Sequence, residues 1–391
     1  MIEIDEMKPY NPNVRVAIVC RAIFHYRLGI FSKIAREWNL MVFHGESVPK
    51  SKMVNAAPPY SFRTKKLFTI YKRSKRNPLR IFYFNPGLIS ELIHWKPHAI
   101  IMVGANDMPN NFLIYLYCKL FSVNYACWGI GKVPGRKESI YRKIFTPIRE
   151  FIIRGAKYCL AYSDFSAKYF SSITAPHKVK VVPNSIDNEA IEKEIGRITD
   201  EDKDLLCKEL EISEESIVLL FVGALETNKR LDIFLEALKT LNERGYNIEA
   251  LIIGSGNAEA YYREYAKNLN LSNCQFLGKI VKGVNKYFQI ADIFVLPGRG
   301  GLAINQALIN GLPVICNTPA DGTELDMIQD GENGFLIESM NTPKLIDALE
   351  RTIENKRYIS MGKNARTIVE KKYNINVMLD VFREVIKNLS L

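Results

Sequence analysis

Apolar and polar positions follow one rhythm along most of the chain: short, almost unbroken apolar runs alternate with stretches of helical spacing. In the first half, residues 14–20, 40–43, 99–103, 124–128, 158–162 and 178–182 read as strands. Between them, 28–38, 86–95, 111–121 and 139–154 carry the period of helices, with Ile30, Phe31, Ile34 and Ala35 on one face of the first. Continuous rather than alternating apolar strands, each followed by a helix, predict a parallel sheet covered on both faces. At Pro183-Asn184-Ser185-Ile186-Asp187 the pattern breaks. Residues 189–214 are rich in charge and poor in strand formers, as a connector with a surface helix is.

A second series follows. Strands are expected at 217–222, 248–253, 274–277, 291–296 and 313–315, and helices at 230–241, 258–269 and 281–289. Helices at 342–356, 358–371 and 376–388 close the chain. The predicted fold class is α/β, with two doubly wound Rossmann-like domains: 1–185, 186–374, and a terminal segment 375–391. Such a pair leaves a cleft between the domains. Ligands of doubly wound sheets bind beyond the C-terminal strand ends, so the glycine turns at Gly223, Gly254 and Gly298 to Gly301 are expected to line that cleft. The last turn, Pro297-Gly298-Arg299-Gly300-Gly301-Leu302, feeds a helix. Unpaired N–H groups and the positive end of the helix dipole make such a turn an anion site, or simply a tight connection without ligand.

Composition narrows the function classes. The chain has 391 residues and a formal charge of +11, unevenly spread: Arg63 to Arg80 holds eight basic residues and no acid, with Phe68, Ile70 and Tyr71 interleaved. That run fits an anionic membrane surface or a solvated loop, and less well a nucleic acid, which is not expected as a partner. The seven cysteines are scattered without a C-x-x-C pair, so neither a disulfide framework nor a zinc site is indicated. The N-terminus lacks the layout of a signal peptide, and no apolar run has the length of a membrane span. A cytoplasmic chain is expected, able to lie as a peripheral protein on the inner membrane face.

The second half resembles retaining glycosyltransferase family 4 of the GT-B fold, enzymes that use nucleotide sugars. The resemblance rests on Val181-Val182-Pro183-Asn184-Ser185-Ile186-Asp187, Phe221-Val222-Gly223-Ala224-Leu225 with Lys229, Ile252-Ile253-Gly254-Ser255-Gly256, Ala291-Asp292, Gly311-Leu312-Pro313-Val314 and Asp330-Gly331-Glu332-Asn333-Gly334-Phe335. It implies sugar transfer from a nucleoside diphosphate sugar, UDP- or GDP-linked, to a glycan or lipid-linked acceptor with retention. It also implies a nucleotide-binding C-terminal domain, an acceptor-binding N-terminal domain and a final helix crossing back to the first domain. The five histidines are not spaced with carboxylates as metal ligands are, so neither a metal nor another cofactor is expected. The family's pair of glutamates, eight positions apart, falls here on Gly298 and Gln306. Its arginine beside the first strand turn is Ala224, and Trp128-Gly129 stands where a histidine is often seen.

Transfer from a diphosphate sugar loads negative charge onto the departing diphosphate, so the site must supply cations and N–H donors. Lys229 and Arg230 are the candidate cations, and Gly300, Gly301 and Leu302 the candidate backbone donors. Lys229 at a helix start opposes the dipole, which favours a functional role over a plain surface one. Arg299 is a further candidate for the phosphates or the sugar. Gly223, Gly254, Lys279 and Ile280 are expected to complete the donor site, with Gln306 on the ribose through its amide oxygen. Asp321 or Glu324 can replace the sugar contact missing at Gly298, or cap a helix with Thr323. In the first domain, His25, Arg27, Asn106 and Trp128 are the acceptor candidates, Arg27 suiting an acceptor phosphate. His25 and Asp107 are candidate catalytic groups beside Lys229 and Glu324; a structural histidine and a loop cap are the plain alternatives. Two other readings compete with the transferase: a binding or partner protein that lost activity with its glutamates, and another enzyme of the same fold, such as a sugar-nucleotide epimerase.

Overall fold

The computed structural model describes residues 11–48, 55–73, 81–104, 108–132, 140–298, 300–318 and 324–391. The chain divides into two compact units. One runs to Asn184 and takes back the C-terminal stretch Ile375–Leu391; the other is Ser185–Asn374.

The strands of the first unit are β1 (Asn11–Cys20), β2 (Trp38–His44), β3 (Arg63–Lys66), β4 (Ile70–Arg73), β5 (Ile81–Phe84), β6 (Ala99–Val103), β7 (Asn124–Gly129), β8 (Tyr158–Ala161) and β9 (Val179–Val181). Seven form a sheet in the order β3-β2-β1-β6-β7-β8-β9, parallel throughout. Successive residues of a strand face opposite sides, and β1 shows the consequence. Val16 and Ile18 enter a core with Ile30, Phe31 and Ile34, while Ala17 and Val19 enter another with Leu92, Ile114 and Ile153. The first core is closed by the last helix, Ile375–Leu389. Its Ile375, Met378, Leu379, Phe382, Val385, Ile386 and Leu389 recur at helical spacing, and all are buried there. Arg383 forks onto Glu37 at 2.8 and 2.9 Å through Nε, fixing this helix to Leu28–Glu37.

The basic run departs from the loop reading. Arg63–Lys66 extends the sheet as an edge strand, and Ile70–Arg73 pairs antiparallel with Ile81–Phe84. Thr64, Leu67 and Thr69 punctuate the charges, and Leu67 and Thr69 are buried, so one side of this segment packs while its lysines stay wet. Charges on an edge strand also discourage pairing with other chains. Residues 74–80 lie outside the described residues.

The second unit repeats the plan with β10 (Ile217–Val222), β11 (Ile248–Ile253), β12 (Cys274–Gly278), β13 (Ile293–Leu296), β14 (Val314–Thr318) and β15 (Gly334–Glu338). The order is β12-β11-β10-β13-β14-β15, again all parallel. The chain winds outward from β10 to β12, then returns to β13 and winds the other way. The switch point therefore lies between β10 and β13. The connector holds two helices, Asn188–Ile195 and Asp200–Glu209, the latter opened by a Thr199–Asp202 capping box.

Candidate functional site

At the C-terminal ends of β10 to β13, glycines let four loops touch backbone to backbone. Gly223 N–H donates to Ile253 O at 2.9 Å, and Gly254 N–H to Gly278 O at 2.7 Å. Leu225 N–H donates to Ser255 O at 3.0 Å, and Ala258 N–H returns to Leu225 O at 2.9 Å. Gly254 has φ +147°, and a Cβ there would overlap Gly223 O. The expected turns at Gly223, Gly254 and Gly298 are thus brought together at one end of one sheet. Gly254, Gly256 and Gly298 are explained by this interlocking alone.

Gly298 is the clearest case. A Cβ at 298 would sit well inside van der Waals distance of Asn228 O and of the Lys229 backbone. The turn Thr227–Lys229 fills the volume where a side chain at 298 would begin. No carboxylate is accommodated there without moving that turn.

The close approach places Lys229. Its half-buried side chain runs beside Gly223, where an added Cβ would lie 3.9 Å from Lys229 Cε, and its Nζ donates to Gly300 O at 3.2 Å. The ammonium therefore stands at the switch point, between the loops after β10 and β13. Arg230, in the left-handed region at φ 51°, turns elsewhere: its guanidinium holds the Asp232 carboxylate at 3.0 to 3.2 Å. Asp232 raises the Arg230 pKa further. Of the two candidate cations, only Lys229 has its charge fixed against the glycine turn. Gly301, φ +159°, precedes the helix Ala303–Ile309, with Ile304 N–H bonded back to Gly301 O at 3.1 Å. Lys279 is exposed and Ile280 half-buried, just past β12.

Gln306 sits one turn into that helix. Its Nε2 donates to Oδ1 of the buried Asn285 at 2.9 Å, and Asn310 Nδ2 donates to the same oxygen at 3.2 Å. Gln289 in turn donates to Asn310 Oδ1 at 2.9 Å. With its NH₂ group held by Asn285, Gln306 presents Oε1 as an acceptor, a polarity that suits a hydroxyl. Neither Asn285 nor Asn310 stands out in the sequence. An isolated asparagine carries no period or motif, and the network joins residues from separate helices. Deeper still, Asn305 is fully buried and accepts from Ile186 N–H at 3.2 Å.

In the first unit, the loop after β1 forms the turn His25–Arg27 and then the helix Leu28–Glu37. His25 is exposed, edge-on to Tyr26. Arg27 is buried. Its guanidinium lies 4.1 Å over the Trp128 ring and 5.0 Å from that of Tyr162, and Nη2 donates to Asn184 Oδ1 at 2.9 Å. Burial pushes the neighbouring Tyr26 phenol up to about 12, against the pull of Arg27. Trp128 is wholly buried between Phe31, Tyr162 and Phe382. This corrects the expectation of an acceptor contact there: the indole packs the core and supports Arg27 from below. Asn106, Asp107, Arg299 and Asp321 lie outside the described residues. Glu324 opens the short helix Glu324–Met327. Among the described residues, no group of His, Cys, Asp and Glu has the arrangement of a metal site.

Two parallel-sheet units of this kind define the GT-B architecture of glycosyltransferases. Residues 202–368, within the second unit, match the family described as "Glycosyl transferases group 1". Among curated proteins, the lipopolysaccharide 1,2-N-acetylglucosaminetransferase of Salmonella typhimurium is 23% identical over 240 residues, 58% of this chain and 61% of that one. The UDP-Gal:alpha-D-GlcNAc-diphosphoundecaprenol alpha-1,3-galactosyltransferase of Escherichia coli is 28% identical over 216 residues, 54% of each chain. The matches thus span little more than half the length of these relatives. Among solved structures, Anabaena HepE in complex with UDP superposes with a TM-score of 0.74 at 14% identity, covering 96% of this chain and 100% of that one. At that identity the likeness is one of fold.

Proposed function

We propose that the chain is a glycosyltransferase that moves a sugar from a UDP- or GDP-sugar to a glycan or lipid-linked acceptor in surface polysaccharide or lipopolysaccharide assembly. The observation that carries the reading is the switch point of the second unit, where Lys229 and the 298–302 turn meet and Gln306 offers an oriented acceptor. Lys229 is the cation for the departing diphosphate. A fixed ammonium and backbone N–H groups stabilise charge as it develops, without reorganising during the reaction. Gly300, Gly301 and Leu302 supply the N–H groups, and Gln306 Oε1 accepts from a ribose hydroxyl. Arg27 serves an anionic acceptor group, with His25 beside it. The transfer retains configuration and needs no metal: the ammonium takes the place a divalent ion would have on the diphosphate. The chain works in the cytoplasm, at the inner face of the membrane.

Turnover is the test. The full chain is incubated with a panel of UDP- and GDP-sugars and a lipid-linked acceptor fraction, in EDTA, and released nucleotide and glycosylated product are followed by mass spectrometry. One donor is expected to react and the others not. Nucleotide binding without release from any donor would instead support the partner-protein reading, which the closed position at Gly298 favours.

A further inference from the structure

The short helix Asn285–Gln289 and the helix Ala303–Ile309 meet through four carboxamides: Asn285 and Gln289 on one, Gln306 and the capping Asn310 on the other. Residues four apart share a helix face, so each helix offers a pair. One backbone group fixes the direction of every amide. The Gln306 carbonyl oxygen can only accept, and the Asn310 side chain bonds it at 2.9 Å, so the atom there is Nδ2. The second hydrogen of that NH₂ group goes to Asn285 at 3.2 Å, which turns Asn285 Oδ1 toward it. Gln306 bonds the same oxygen at 2.9 Å, so its atom there is Nε2. Asn310 Oδ1 takes Gln289 Nε2 at 2.9 Å. The Gln306 main chain, Asn310, Asn285 and the Gln306 side chain thus close a ring. Asn285 is only 1% exposed, so water does not compete for its oxygen.

Oε1 of Gln306 is the atom the ring leaves over. We infer that Asn285 is a positioning residue: it locks the Gln306 amide with Oε1 turned away from the ring, so that the site accepts a ligand hydroxyl and separates a ribonucleotide from a deoxyribonucleotide. The inference rests on the transferase reading, which sets a nucleotide ribose at Gln306. A free glutamine amide offers NH₂ or oxygen alike; the ring removes that choice without using a charge. The same ring works against a glutamate at 306. A carboxylate has no hydrogen for Asn285 Oδ1, so two acceptors would face each other. Turning Asn285 does not relieve them, because its NH₂ group would then meet that of Asn310. Asn310 cannot turn in its place, since the Gln306 carbonyl holds its nitrogen and Gln289 its oxygen. Gln306→Glu, which restores the family residue, is therefore expected to weaken the site and not to improve it.

The experiment is calorimetric titration of the full chain with UDP, GDP and the 2′,3′-dideoxy analogue of each. The wild type is expected to bind one nucleotide about two- to tenfold more tightly than its dideoxy analogue, the worth of one hydrogen bond. Asn285→Leu removes the shared acceptor and should bring that ratio close to one. Asn285→Asp keeps an oxygen for both donors and should preserve it. A role in stability alone would lower the melting temperature of the leucine variant and leave the ratio where it was. Where Asn285→Leu fails to fold, Gln306→Glu carries the test: it should bind the nucleotide more weakly than wild type. An unchanged ratio in Asn285→Leu, or tighter binding by Gln306→Glu, overturns the inference. Binding of neither nucleotide by the wild type overturns the transferase reading with it, a result distinct from binding without discrimination, which removes the positioning role alone.

Discussion

At the scale of single residues, the candidate site is shaped by what Gly298 lacks. The turn carrying Lys229 packs directly against the 298 backbone, so adding one methyl there costs free energy and displaces the lysine. Gly298→Ala is expected to destabilise the second unit by about 1–3 kcal/mol, roughly 2–4 °C of melting temperature per kcal/mol, and to weaken nucleotide binding beyond that loss. An alanine variant as stable as wild type would contradict the packing described. His44 makes a separate prediction in the first unit. Its ring is buried, with Nδ1 2.9 Å from Gly45 O, and burial lowers its pKa. The unfolded chain then takes up the proton before the folded one does. The stability tied to neutral His44 is present above about pH 6.5 and is lost as pH falls through the lowered value. Urea midpoints at pH 7.5 and 5.5 should differ less in His44→Gln than in wild type; an unchanged difference would show that this histidine does not contribute.

At the scale of elements, the apolar runs carry most of the fold. Buried parallel strands such as 217–222 and 248–253 are continuous, strongly apolar and bounded by glycine, so they stand out. Three kinds of element do not. Arg63–Lys66 is a strand in spite of four polar side chains, because its backbone completes an edge. Asp164–Ser171 is a short helix whose Ser163 cap is stronger than its period. Gly334–Glu338 reads in the sequence only as part of a motif, and it is one of the two edge strands of the second sheet. The site is legible where a residue type alone limits the chemistry, as with Lys229 and the glycines. It is not where tertiary partners decide: Asp232 holding Arg230, or Asn285 orienting Gln306. The last helix offers the plainest test of packing at this scale. Phe382 is fully buried, edge-on to Trp128 at 4.9 Å. Phe382→Ala is expected to cost about 3–5 kcal/mol in the first unit and to expose 375–391 to proteolysis, while nucleotide binding in the second unit persists. Resistance to protease equal to wild type would argue that this helix does not hold the first core.

At the scale of the molecule, the two units carry different groups. The second presents an ammonium, a glycine turn and an oriented carboxamide at the switch point of its sheet. The first holds a buried guanidinium on aromatic rings. Ligand binding reports directly on the site of the second unit, because a ligand that binds only the folded state raises its melting temperature by mass action. The measurement is the thermal shift of the full chain with UDP, GDP and their sugars, repeated for Lys229→Ala. One nucleotide should raise the midpoint, its sugar should do so at least as well, and the lysine variant should lose most of the shift while keeping its ligand-free midpoint. No shift with any nucleotide, or an equal shift in Lys229→Ala, would contradict the site.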